Sequence, residues 1–262
     1  MAASRLTSGI PEVSRAVRRA VYGTVRYGGE MTHLDGSSIL VLGASGGLGS
    51  EIARLLAAGG ARLILSGRSQ AKLDALNVPG TAVAADLTDP DAITALVAEA
   101  ISVNGRLDGI VNASGVVAFG PAVEVSDQTL TELFAVNTLA PIRLLRAARA
   151  ALAESAEQGR DPFVVTLSGV VSESPTANLA AYSASKAALA AFGQAAGREL
   201  RRTGIRILDA RPGHTETDLS AHPIAGTAPR LPAGNAPAVV AQRVVDAIIN
   251  GERDLASTSF HS

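Results

Sequence analysis

Residues 167–186 read LSGVVSESPTANLAAYSASK, and in this run a phenol and an ammonium stand four positions apart, at Tyr182 and Lys186. On a helix, positions i and i+4 share one face, so both groups would enter the same space. A phenol beside an ammonium points to proton chemistry. The same pair also occurs as ordinary helix decoration, so the surrounding elements must decide.

Those elements alternate. The apolar runs 38–43, 62–66, 81–85, 108–113, 162–168 and 205–210 are short and bounded by turn residues. They lack the apolar/polar alternation of a half-exposed strand, which predicts strands buried on both faces of a parallel sheet. Helical spacing lies between them, for instance at Leu48, Ile52, Leu55 and Leu56. Repeated βα units of this kind predict an α/β fold, a single doubly wound parallel sheet of Rossmann type with helices on both faces.

The first strand runs into VLGASGGLGSEIARLL, with Gly43, Gly47 and Gly49 spaced G-x-x-x-G-x-G before a helix. Glycine permits close backbone approach to a pyrophosphate, and free N–H groups at the helix start attract the anion. Gly43, Ser45, Gly47, Leu48 and Gly49 are therefore candidate cofactor-binding residues. The second strand ends at Gly67, where a carboxylate would hold a free ribose 2′-hydroxyl, and Arg68 follows. A planar cation there suits a 2′-phosphate, so the expected cofactor is NADP rather than NAD. Asp86 and Asn112 end the third and fourth strands at the edge where the adenosine half would lie.

Composition narrows the options. With 262 residues, 47% of them hydrophobic and 18% charged, the chain is long enough and apolar enough for a substantial core. A net charge of -1 gives no general basis for nucleic-acid binding. The absence of cysteine removes disulfides and thiolate chemistry and fits a cytoplasmic location. The four histidines lack ligand spacing, so no metal is expected, and no apolar run has the roughly 18–20 residues of a membrane span.

The glycine loop, the Asp86-Leu87 pair, NASG at 112–115, VNTLAP around Asn137, YSASK at 182–186 and PGHTET at 212–217 follow one another in order. In this the chain resembles the short-chain dehydrogenase/reductase family over roughly residues 36–260. The resemblance implies NADP(H)-dependent hydride transfer between a nicotinamide and a small-molecule carbonyl or secondary alcohol. It implies Tyr182 as acid/base and Lys186 as the charge that favours the phenolate and holds the nicotinamide ribose. Asn137 would anchor a water reaching Lys186. Leu87, Asn112 and Gly115 would line the cofactor site, and Pro212, Gly213 and Thr217 would grip the carboxamide. The same resemblance implies a homo-oligomer built on the Ala- and Gly-rich YSASK helix and the helix near 130–152.

Some positions depart from the pattern. The family's catalytic serine stands 13 residues before the tyrosine, where this chain has Gly169. Ser168 is expected to supply the hydroxyl, with Ser172, Ser174 or no hydroxyl at all as the alternatives. Ala113 and Ser114 depart from the usual NNAG, and Leu42 stands where a threonine is common. The tail GERDLASTSFHS lacks a long glycine-rich final strand. Residues 1–30 carry five arginines against Glu12 and Glu30, and are expected to form a flexible basic extension before a domain at 31–262. A membrane-surface or targeting role is the rival reading of that segment. The Gly/Pro-rich segment 219–237 is a candidate substrate lid, and Val116, Phe119, Val170, Val171 and Leu219 are expected to face an apolar pocket. The rival function is an NADP-binding redox sensor without turnover.

Overall fold

In the computed structural model, residues 31–260 are described; the basic segment 1–30 lies outside them. Seven strands form one sheet in the order β3-β2-β1-β4-β5-β6-β7, every neighbouring pair parallel. They are β1 (Ser38–Leu42), β2 (Arg62–Gly67), β3 (Thr81–Ala84), β4 (Gly109–Asn112), β5 (Phe163–Leu167), β6 (Arg206–Ala210) and β7 (Asp254–Leu255). Helices α1 (Gly47–Ala58), α2 (Gln70–Asp74), α3 (Pro90–Asn104), α4 (Asp127–Phe134), α5 (Ala140–Glu157), α6 (Ala180–Glu199) and α7 (Pro237–Ile249) connect them. Each of the first six strands falls on one of the apolar runs, β2 extending one residue past its run to Gly67.

The sheet is apolar on both faces because helices cover both. Ile39, Val41, Leu63 and Leu65 pack with Ile52 and Leu56 of α1 and Val244 and Ile248 of α7. Leu40, Leu42, Ile64 and Ile110 pack on the opposite side with Leu96 of α3, Leu144 of α5 and Ala196 of α6. Side chains alternate along a strand, so adjacent residues feed different cores. Each fully buried Leu or Ile contributes about 1.5–3 kcal/mol. Among the described residues no helix is long and apolar enough to cross a membrane, and no group of three His, Asp or Glu is placed to hold a metal.

Two elements depart from expectation. The sheet gains a final strand, β7, only two residues long, which pairs Asp254 with Asp209 and Leu255 with Ala210. Two residues carry no strand periodicity, and fully buried Leu255 is held there by the core beneath it. The helix expected over 130–152 is broken by a wide π turn at Ala135–Leu139 between α4 and α5. Such turns are concentrated at functional sites.

Candidate active site

The first βα turn is built for a close visitor. Gly43 has φ 68°, and a Cβ there would lie 2.7 Å from the Ala113 carbonyl oxygen, so β1 and β4 leave the sheet in contact. At Gly49 a Cβ would collide with the Gly43 carbonyl. Gly46 caps α1 without a side-chain bond, and the first turn contains no acidic residue. The N–H groups of that turn are thus free for an anion, and the helix dipole favours one. Leu48 packs partly on the core, whereas Ser45 is half-buried and its Oγ lies 3.2 Å from where a Gly67 Cβ would stand. The loop, the bare helix start and the absence of a carboxylate at Gly67 fit a dinucleotide.

Arg68 is exposed just beyond β2. The Asp86 carboxyl is held below its ordinary range by the Thr88 backbone N–H, then by the Thr88 hydroxyl, with a smaller contribution from Arg68. Asp86 therefore uses its Oδ1 to shape its own turn, and Leu87 packs partly on the core behind it. Asn112 does likewise: its buried Oδ1 accepts from the Ser114 backbone N–H and hydroxyl. Ser114, a departure from the family pattern, is the partner that fixes this corner.

Tyr182 and Lys186 do share a face of α6. The Lys186 ammonium lies 5.9 Å from the centre of the Tyr182 ring and donates to the Leu167 carbonyl at 2.8 Å. Burial pushes the Tyr182 phenol up to about 12, so at neutral pH it is a proton donor. Burial also pulls Lys186 down to about 8, partly opposed by the negative charge of Asp209.

Asn137 sits in the π turn, fully enclosed. Its Oδ1 accepts from Val116 N at 3.0 Å, and its Nδ2 donates to Val116 O at 2.9 Å and Ser185 Oγ at 3.1 Å. Ser185 in turn donates to Tyr182 O, and Thr138 donates to Ser185 O. The asparagine side chain thus ties the exit of β4 to the turn of α6 between Tyr182 and Lys186. Gly115 lies against Asn137 and Lys186: a Cβ there would stand 3.3 Å from Asn137 Oδ1 and 3.4 Å from Lys186 Nζ.

Ser168 is a correction. It has no exposed surface, and its Oγ donates at 2.7 Å to Asp209 Oδ2. A hydroxyl with no accessible surface cannot reach a substrate carbonyl. Strand alternation continues one residue past β5 and turns Ser168 onto the same face as Thr166. Gly169 then takes φ 74° and ψ 163°, a region open in practice only to glycine. Ser172 is half-buried and donates to Gly169 O at 2.7 Å and Ser168 Oγ at 3.2 Å, whereas Ser174 is exposed.

Beyond β6, Pro212 O accepts from Val170 N at 2.9 Å, Gly213 O accepts from Thr215 Oγ1, and Thr217 packs on Gly47. The 212–217 segment therefore lies over the glycine loop. The expected lid is irregular and fastened: Ile224 N donates to Val117 O, and Phe119 N donates to Ala225 O. A cleft of about 320 Å³ is walled by Ala118, Phe119, Val125, Leu179 and Ala181, with Glu124 and Asn178 at its polar side; Tyr182 does not line it but packs on the cluster that contains Ala118. Of the expected pocket residues Phe119 lines it, and Val116 is buried in the cluster on which Tyr182 packs. Val170, Val171 and Leu219 do not line this cleft.

Asp209, Arg211 and Ser185 escaped the sequence reading. A carboxylate inside the apolar run IRILDA was the available signal, since a buried charge demands partners.

A doubly wound parallel sheet with a bare, glycine-lined helix start at its first crossover defines a dinucleotide-binding protein. Residues 37–225 match the family model described as short chain dehydrogenase, and the chain belongs to that family of oxidoreductases. It is 37% identical over 193 residues to the galactitol 2-dehydrogenase (L-tagatose-forming) of Cereibacter sphaeroides, covering 71% of this chain and 74% of that enzyme. A metagenomic short-chain oxidoreductase solved with NADP is 30% identical, with a TM-score of 0.71 over 86% of this chain and 98% of its own. The 3-ketoacyl-(acyl-carrier-protein) reductase of Brucella melitensis, solved with NADH, shares the fold with a TM-score of 0.79 at 23% identity, over 87% and 100% of the two chains.

Proposed function

We propose that the protein is an NADP(H)-dependent reductase of carbonyl compounds, or in reverse a dehydrogenase of secondary alcohols, with Tyr182 as acid/base. The observation that carries this reading is the pairing of a half-buried, neutral phenol with a buried ammonium on one helical face. When bound, the dinucleotide supplies or receives the hydride. Tyr182 gives its proton to the carbonyl oxygen, so the products are an alcohol and a phenolate, and the phenolate then takes a proton from solvent. Lys186, still largely charged at neutral pH, stabilises that phenolate. Asn137 holds the β4 exit and the Tyr182–Lys186 turn in fixed relation, which is the orientation on which such catalysis depends. The mostly apolar cleft at Ala118, Phe119 and Leu179, with Tyr182 packed on the cluster behind Ala118, supports a substrate with an apolar part. Arg68 and the bare Gly67 support a preference for NADP, and the NADP complex of the metagenomic relative accords with it.

The enclosed Ser168 and the glycine at 169 favour a second reading, an NADP-binding sensor with no turnover. A cofactor titration followed by a broad panel of carbonyls and alcohols separates the two. Turnover that depends on Tyr182 supports the reductase, and tight NADPH binding without turnover across the panel supports the sensor. We also propose self-association through the outer faces of α5 and α6, to be measured by sedimentation equilibrium.

A further inference from the structure

β6, the neighbour of the edge strand β7, carries a buried carboxylate. Asp209 is 4% exposed and lies on the side covered by α6. Its Oδ1 accepts from Thr166 Oγ1 at 2.8 Å, and its Oδ2 accepts from Ser168 Oγ at 2.7 Å and Arg211 Nη1 at 3.0 Å. Thr166 and Ser168 are the two neighbours of Leu167, whose carbonyl oxygen receives the Lys186 ammonium. Residues i and i+2 of a strand point the same way, so one carboxylate grips the chain on both sides of the peptide that holds the lysine. Arg211 compensates the buried charge and spreads its remaining donors to Glu173 and Asp254. This arrangement joins β5, β6, β7 and the loop at 170–174 behind the Tyr182–Lys186 pair.

We propose that Asp209 is a positioning residue for Lys186: through Thr166 and Ser168 it clamps the Leu167 carbonyl against the ammonium, and it is the carboxylate that stands behind that contact. The inference rests on the role given above to Lys186, and extends it to a residue outside the reacting centre. The ionisable groups facing Lys186 are Tyr182 on its own helix and Asp209 on β6, with Arg211, Glu173 and Asp254 behind the latter. Burial is the larger influence on Lys186 and drives it toward the neutral form; Asp209 opposes it.

The sequence makes the coupling measurable, because Lys72 and Lys186 are its only lysines and Lys72 is exposed on α2. In the cofactor-free full chain labelled with 13C,15N-lysine, Lys72→Arg leaves the Lys186 side chain as a single reporter for NMR titration. Asp209→Asn, nearly isosteric, should move the Lys186 titration to lower pH, and in the unsubstituted background should leave that of Lys72 in place. The high-pH limb of carbonyl reduction should move acidward with it, whereas a merely structural lesion would lower activity equally at every pH. Thr166→Val opens one side of the clamp and leaves the charge, so kcat should fall several-fold with the Lys186 titration unmoved. Identical Lys186 titrations in Asp209→Asn and the parent would overturn the proposal. If Asp209→Asn fails to fold, undiminished kcat in Thr166→Val would do so. The titration needs no turnover, so it stands even if no carbonyl compound proves to be a substrate.

Discussion

Gly169 occupies the place where a serine would complete the family pattern, and restoring that serine should harm the protein. At φ 74° and ψ 163° the backbone is in a region that side-chain-bearing residues avoid at a cost of about 1–3 kcal/mol. Space is not the obstacle, since a Cβ at 169 would meet only the Pro212 carbonyl oxygen, at 3.8 Å. The alternative is to relax the backbone, which endangers the bonds from Val170 N to Pro212 O and from Ser172 Oγ to Gly169 O. Each such bond contributes about 0.5–1.5 kcal/mol net, so relaxation costs much the same as strain. Gly169→Ser should therefore lose about 1–3 kcal/mol. For a domain of this size that is a fall in Tm of roughly 2–12 °C. Gly169→Ala should lose as much, because the Cβ and not the hydroxyl causes the strain. Thermal unfolding followed by circular dichroism reads the stability, and carbonyl turnover on the same samples reads function. An unchanged Tm with raised turnover in Gly169→Ser, but not in Gly169→Ala, would refute this account of the loop.

Further outcomes are open to direct test. Tyr182→Phe should retain NADPH binding in fluorescence titration but lose ~10²–10⁴ in kcat, as removal of an acid/base group does. Arg68→Ala should erase most of a roughly ten- to hundred-fold NADPH preference, the equivalent of about 1.5–3 kcal/mol for bonds to a charged phosphate; calorimetric titration with both cofactors checks it. Carbonyl reduction should fall as pH rises through about 8, where Lys186 loses its proton while Tyr182, raised to about 12, keeps its own. For stability the sign is set by a folded-state value for Lys186 below its ordinary 10.5, so its contribution is full above 10.5 and is lost as pH falls toward 8. Denaturant unfolding of Lys186→Met should thus gain on the wild type between pH 10.5 and 8, with a constant difference below that.

What the sequence determined by itself was whatever depends on local pattern. Five buried strands were legible because a strand covered on both faces reads as an unbroken apolar run; the sixth, edge strand β3, was found as a strand but is only partly covered. The glycine loop of the first crossover was legible because its glycines answer a local steric demand, as Gly49 against the Gly43 carbonyl shows. The Tyr182–Lys186 pair was legible because helical spacing alone brings the two together. Tertiary structure decided the rest. Whether Ser168 or a neighbour faces the site turned on how far strand alternation persists past Leu167 and on a carboxylate 41 positions away waiting across the sheet. The two-residue β7 exists only because Leu255 has a core to enter. The proton states of Tyr182 and Lys186 follow from desolvation, which depends on what the whole fold stacks around them and not on the four residues that separate them.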